Sequence, residues 1–407
     1  MSYSVAMLSV HTSPLDSPGS TKDAGGMNVY MRELASKLGH RQTTVDIFTR
    51  WTNENSPRIV QLSANVRVIH IKAGPISPIH KNELFQHLPE FISNIEVFRR
   101  SKARPYDILH SHYWLSGIAA MQLAQRWAVP HVTMFHTLAR LKQLANPNEK
   151  EPALRLEMEQ QLIKKADRII AATTDERMQL IRYCGATPGQ VEVIPCGVDL
   201  RLFVPQNKLE ARKTLGLPPS QPVLLFVGRL DPFKGPDLLL RAAAMMEEEA
   251  QVVIVGGKLE GDKELEQLRS LASDLDISGR VHFLGARPQQ ELPEVYNVAD
   301  VTVVPSYHES FGLVAVESLA CGTPVVATQA GGLTTIVRHG ETGYLVPRCP
   351  CFFAERLDAL LQDHALLEHM RLAARPSVRH FSWKSVADQV SSVYEEMLSE
   401  IEQLLAQ

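Results

Sequence analysis

Short apolar runs alternate with longer amphipathic ones along almost the whole chain. Residues 5–10, 45–49, 66–71, 108–112, 131–135, 168–172 and 191–194 are apolar runs too short for helices, and each reads as a buried strand. Between them lie segments with helical spacing at 29–38, 84–99, 117–127, 152–166 and 175–183; in the first of these Val29, Leu34 and Leu38 share one side. Strands separated by helices imply parallel pairing with right-handed crossovers. The grammar breaks near 196–205, where Gly, Pro and Asp interrupt it, and then restarts. Strands are predicted at 223–227, 251–255, 281–284, 301–304 and 325–328, and helices at 236–246, 264–275, 291–298 and 313–320. A last helix, 383–405, follows the second set.

The length of 407 residues exceeds one ordinary core, so two domains are expected. The pattern predicts an α/β protein of two doubly wound parallel-sheet domains. One is 1–198, joined by the C-terminal helix of about 383–407; the other is 199–382. Ligands of open parallel sheets bind beyond the C-terminal ends of the strands. An active site between the domains is therefore expected, with domain closure excluding water.

Composition narrows the class. Hydrophobic content of 44% and charge of 21% describe a soluble globular protein. The net charge of -3 gives no argument for nucleic acid or an acidic membrane surface as partner. No apolar run reaches the ~20 residues of a membrane span. The N-terminal apolar run is too short, and lacks the basic flank, for a signal peptide. Cys184, Cys196, Cys321, Cys349 and Cys351 are odd in number and lack zinc-knuckle spacing, which suits reduced thiols in a cytoplasmic protein. Cys349-x-Cys351 has no histidine partner, and no metal site is expected.

Five groups of residues carry candidate chemistry. In Pro305-Ser306-Tyr307-His308-Glu309-Ser310-Phe311-Gly312-Leu313-Val314-Ala315-Val316-Glu317, a polar loop becomes an apolar helix. Gly312 then falls near a helix N-terminus, where unpaired N–H groups and the dipole attract anions. Glu309 precedes that end and Glu317 lies about one and a half turns inside it. Such a site suits a ligand with phosphates and hydroxyls; a helix cap with one surface acid is the plainer alternative. In Gly228-Arg229-Leu230-Asp231-Pro232-Phe233-Lys234-Gly235, two cations share one loop after a buried strand. They suit a pyrophosphate, or are a solvated basic loop. Thr21-Lys22-Asp23-Ala24-Gly25-Gly26-Met27-Asn28 lets backbone approach a ligand closely, or is a tight turn; it is not G-x-G-x-x-G. His136 follows a strand, where it is a catalyst or a packing residue. Lys81, Tyr113, Thr137 and Arg155 lie near strand ends or in loops but far apart in sequence.

Taken together, these motifs resemble family 4 of the nucleotide-sugar glycosyltransferases, which have the two-Rossmann GT-B architecture. The resemblance covers nearly the whole chain. It rests on Gly25-Gly26-Met27-Asn28-Val29-Tyr30, His110-Ser111-His112-Tyr113-Trp114, His136-Thr137-Leu138, Gly228-Arg229 with Lys234-Gly235, and Glu309-x7-Glu317. It implies that Arg229 and Lys234 bind the donor pyrophosphate, Glu317 the ribose hydroxyls and Glu309 the hydroxyls of the transferred sugar. The backbone of Phe311, Gly312, Leu313 and Val314 would meet phosphates or sugar, Gly26 the β-phosphate, and His136 the sugar near its reacting carbon. Asn28, Lys81, Tyr113, Thr137 and Arg155 would form the acceptor site, with Lys81 and Arg155 on a phosphate. The resemblance further implies a retaining, front-face transfer that needs no cofactor and no divalent metal; no Asp-x-Asp stands in a metal-binding setting. A double displacement would need a carboxylate beneath the anomeric carbon, and none is evident.

Two subgroups are similar. The sucrose-phosphate synthases use UDP-glucose and fructose 6-phosphate. The mycothiol-pathway enzymes use UDP-N-acetylglucosamine and an inositol phosphate. Asn28, Tyr113, Thr137 and the opening His11-Thr12-Ser13-Pro14-Leu15 resemble the latter, and Met27 departs from the glutamine common in the former. Frequent glutamine, as in Gln160-Gln161 and Pro288-Gln289-Gln290, is unlike the proteins of high-GC actinobacteria and tilts the expectation toward sucrose-phosphate synthesis. A separate phosphatase would then act on the product. A non-catalytic sensor of sugar nucleotides would keep Arg229, Lys234 and Glu317 but could lose Glu309 and His136. An epimerase would need general bases and no acceptor pocket.

Overall fold

The computed structural model describes residues 3–16, 23–41 and 43–405. Thr21 and Lys22 of the glycine-rich motif lie outside the described residues. The chain divides into two compact units. The first combines residues up to Asp16, Gly26–Pro195 and the chain from Trp383 onward; the second contains Cys196–Ser382.

The first unit is built on an eight-stranded sheet: β1 (Ser4–Ser9), β2 (Thr44–Arg50), β3 (Ile59–Ser63), β4 (Val66–Ile71), β5 (Ile108–His112), β6 (His131–Met134), β7 (Arg168–Ala171) and β8 (Val191–Val193). Their spatial order is β3-β4-β2-β1-β5-β6-β7-β8. All neighbours are parallel except the edge strand β3, which runs antiparallel to β4. β1 and β5 are buried at every position, which explains why they read as continuous apolar runs. Helices cover both faces, and Phe91, Ile95, Leu115, Ala119 and Leu123 are buried in one continuous core. The helix expected at 84–99 is two elements, a 3-10 turn Lys81–His87 and a helix Leu88–Arg100. Pro89 divides them: without an N–H it opens a helix readily but does not continue one. The C-terminal helix Trp383–Leu405 belongs to this unit. Trp383 packs edge-on to Tyr30, with ring centroids 5.6 Å apart.

The second unit carries a six-stranded parallel sheet: β9 (Val223–Val227), β10 (Gln251–Val255), β11 (Val281–Gly285), β12 (Val301–Val304), β13 (Val325–Thr328) and β14 (Gly343–Val346). Their order is β11-β10-β9-β12-β13-β14. Its core joins Leu239, Leu240, Ile254, Val303, Phe353 and Leu357, all buried.

Each sheet has one place where successive strands turn from one direction of growth to the other. In the first this lies between β1 and β5, in the second between β9 and β12. Loops leaving the C-terminal ends of such a pair part and leave a crevice. Gly26, Asn28 and Tyr113 follow the first pair, and Arg229, Lys234 and Glu309 follow the second. No helix among the described residues is long and apolar enough to cross a membrane.

Candidate active site

In the second unit, the loop after β9 and the loop after β12 are fastened to each other. Asp231 Oδ1 accepts from the backbone N–H groups of Phe233 (2.9 Å) and Lys234 (3.3 Å), which folds the cationic turn back on itself. Arg229 reaches Asp231 Oδ2 at 3.0 Å and stays substantially exposed. Tyr307 N–H donates to the Phe233 carbonyl at 2.9 Å. Lys234 Nζ lies 2.7 Å from Glu309 Oε1, and Ser306 Oγ donates to the same oxygen at 2.7 Å. Gly235 has φ 73, and a Cβ there would stand 2.6 Å from the Pro305 carbonyl oxygen. Only glycine lets the two loops close this tightly.

Burial alone would push the Glu309 carboxyl up. The Lys234 ammonium, the Ser306 hydroxyl and His308 outweigh it, and the pKa falls below the ordinary value. Glu309 is therefore a carboxylate beside a cation.

Helix Leu313–Ala320 begins where expected, capped by Gly312 in the left-handed region (φ 107). Glu317 lies inside it, buried, and accepts from the Tyr296 hydroxyl at 2.8 Å. Burial pushes Glu317 up to about 7, against hydrogen bonds from Tyr296 and Gln289. Because this value exceeds the ordinary 4.5, Glu317 favours the fold at low pH, and that contribution is lost as pH rises through about 7.

Two partners here were absent from the sequence reading. Tyr296 lies on helix Leu292–Val298, 21 positions from the carboxylate it holds. Arg348 follows β14; its Nε donates to the Pro305 carbonyl at 3.0 Å and its guanidinium lies 3.5 Å from the Tyr307 ring centroid. It buttresses the Glu309 loop by a cation–π contact.

In the first unit, the loops after β1, β5 and β6 carry the other candidates. Gly26 opens helix Gly26–Gly39. Asn28 is buried, and its amide donates to Thr12 Oγ1 (2.7 Å) and the Ser13 carbonyl (2.6 Å), so it anchors the loop after β1. Tyr113 (φ 74) and His136 (φ 58) both adopt left-handed backbone just beyond adjacent strands. Non-glycine residues held there cost on the order of 1–3 kcal/mol each, and such strain collects at functional sites.

Tyr113, Thr137 and Arg155 come together. The Arg155 guanidinium lies 4.9 Å from the Tyr113 ring centroid. It donates to the Thr137 carbonyl (2.9 Å) and Thr137 Oγ1 (3.1 Å). It is also gripped by Glu159 at 2.7 Å and Glu151 at 2.9 Å, and Arg155 is only 4% exposed. Lys81 opens the turn Lys81–His87 after β4. Carboxylates thus occupy the arginine's fork, where the resemblance puts an acceptor phosphate shared with Lys81.

No three His, Cys, Asp or Glu side chains among the described residues are grouped to hold a metal ion. Cys349 Sγ lies 2.7 Å from Cys351 Sγ, and all five cysteines are free thiols.

Two doubly wound sheets, each with a switch point, are the GT-B architecture. Residues 24–202 match Glycosyltransferase Family 4 and residues 207–376 match Glycosyl transferases group 1. The chain belongs to glycosyltransferase family 4, and it is a hexosyltransferase. It is 45% identical to a D-inositol 3-phosphate glycosyltransferase of Thermomonospora curvata, over 96% of this chain and 94% of the relative. It is 44% identical to the protein of the same name from Nocardiopsis dassonvillei, with the same coverages. Among solved structures it is similar to a sucrose-phosphate synthase from Thermosynechococcus elongatus, with TM-score 0.92, 34% identity, and coverage of 98% of this chain and 100% of that one.

Proposed function

We propose that the protein moves a hexose with retention of configuration from a UDP-sugar to a phosphorylated polyol, and that an inositol phosphate is its acceptor. The observation that carries the donor half is the Lys234–Glu309 pair at the β9/β12 switch point, beside the Gly312 helix end. Lys234, Arg229 and that helix end supply positive charge for a leaving diphosphate, so no divalent metal is needed. Glu309 and Glu317 accept from sugar and ribose hydroxyls. The acceptor half rests on the Tyr113–Thr137–Arg155 cluster, where an incoming phosphate replaces Glu151 on the arginine fork.

The choice of acceptor moves from fructose 6-phosphate to inositol phosphate. The curated relatives are inositol-phosphate enzymes at 44–45% identity, against 34% for the sucrose-phosphate synthase structure. Glutamine usage reflects the genome a protein comes from, whereas the acceptor is chosen by the pocket. Sucrose-phosphate synthesis stays the second reading, because that structure superposes over 98% of this chain.

The test is UDP release from UDP-glucose, ADP-glucose and UDP-N-acetylglucosamine, each with D-inositol 3-phosphate or fructose 6-phosphate, with and without EDTA. Release with inositol phosphate, unaffected by EDTA, is expected. Release only with fructose 6-phosphate establishes the second reading, and loss in EDTA removes the metal-free mechanism.

The ribose role makes its own prediction. Glu317 must be ionised to accept from two hydroxyls, and its pKa of about 7 leaves it largely protonated at pH 6. Affinity for UDP-glucose, whose diphosphate diester has no proton to lose there, is expected to rise about tenfold from pH 6 to pH 8. Glu317→Gln should bind more weakly and without slope. A flat profile for the unmodified protein by calorimetry rules out the assignment.

A further inference from the structure

His112 is the last residue of β5, and His136 stands two positions beyond the end of the neighbouring β6. The strands pair His112 with Met134, which brings the two imidazoles side by side. His112 Nδ1 lies 2.9 Å from His136 Nε2. Both rings pack against Tyr30, with centroids 5.7 and 5.3 Å from it. Burial and the imidazoles of His110 and His136 hold His112 well below the ordinary histidine value; burial and His11 lower His136 to about 3. Both rings are therefore neutral at physiological pH, and one must donate while the other accepts.

The direction follows from the other nitrogen of His112. Its Nε2 is buried and has no hydrogen-bond partner. Were His112 the acceptor, its proton would sit on Nε2 as a buried N–H without an acceptor, a rare and costly state. As donor through Nδ1, it leaves only a bare lone pair at Nε2. His131, on β6, repeats this arrangement. Ser111 Oγ donates its one proton to Thr133 Oγ1 at 2.9 Å, so His131 Nε2 donates to Ser111 Oγ at 2.7 Å. The buried, partnerless Nδ1 of His131 is then the lone pair.

We infer that His112 is a positioning residue: it donates from Nδ1 to His136 Nε2 and so fixes His136 in the tautomer with its proton on Nδ1. His136 then presents a neutral N–H donor. Such a group binds a sugar oxygen without adding positive charge beside a carbon that itself becomes positive during transfer. The inference rests on the proposed transfer and on the role that the family resemblance implies for His136, beside the sugar near its reacting carbon.

The test is two-bond proton–nitrogen NMR on the full chain labelled with 15N-histidine, with His136 assigned by His136→Gln. A protonated Nδ1 and a bare Nε2 on His136 are expected. In His112→Phe the tautomer should become mixed or inverted, and kcat should fall about 10- to 100-fold with the Kd for UDP unchanged. His112→Asn, which keeps an N–H donor, should retain more of both. A proton on Nε2 of His136 in the unmodified protein overturns the inference, whether or not any variant folds. A tautomer change in His112→Phe with kcat unchanged overturns the catalytic use of the hydrogen bond, and shows that the role given to His136, not the geometry, is at fault.

Discussion

Lys234→Ala is expected to lower kcat about a thousandfold with the preferred donor and acceptor, the loss typical when one fixed donor to a developing oxyanion is removed. Lys234, to which we assign the diphosphate's departure, is held at both ends: its backbone N–H is tied to Asp231, and its ammonium is held by Glu309 at 2.7 Å. The truncation also strands Glu309, because Lys234 is the main group holding that carboxyl below its ordinary value. Stability should therefore drop by about 3 kcal/mol as well, the penalty for leaving one member of a shielded pair alone. The double change Lys234→Ala/Glu309→Gln separates the two effects. Removing the stranded charge should restore much of the melting temperature and none of the turnover. If the double variant regains activity, Lys234 serves only to neutralise Glu309.

Most strands of the two sheets were legible because they are buried on both faces, so burial and apolar composition coincide. Ile59–Ser63 was not legible. It is an edge strand with Ile59 exposed, and nothing in its pattern separates it from a loop. Gly343–Val346 was also missed; it is a four-residue strand that opens on glycine, with Tyr344 and Leu345 only half-buried. The site divides in the same way. Arg229, Lys234, Glu309 and Glu317 were readable because each stands at a fixed short distance from a strand end or helix start. Their supports were not. Tyr296 on Glu317 and Arg348 on Tyr307 join elements whose proximity only the folded sheet creates. The carboxylates on Arg155 were within reach: Glu151, Arg155 and Glu159 are spaced four apart, the interval at which helical side chains meet.

Those carboxylates make replacement of Arg155 costly. Arg155→Met removes the cation that pairs with Glu159, which is 3% exposed and whose pKa burial already raises against the pull of that arginine. Losing one partner of a buried ion pair costs about 3–5 kcal/mol. The sign of the pH dependence identifies the cause. Without Arg155, the folded-state pKa of Glu159 rises further above the ordinary 4.5. The fold then gains from protonating it, and that gain is lost as pH rises through the raised value. The stability deficit of Arg155→Met relative to the unmodified protein should thus be small near pH 5 and large near pH 8, as denaturant titrations at the two pH values would read. Where enough folded enzyme remains, the KM for the phosphorylated acceptor should rise about a hundredfold, the loss of a two-pronged charge-assisted contact, while the Kd for UDP stays unchanged. Equal deficits at both pH values would mean that Glu159 is not the stranded charge. A KM that does not move would place the acceptor phosphate elsewhere, with Lys81 the next cation to test.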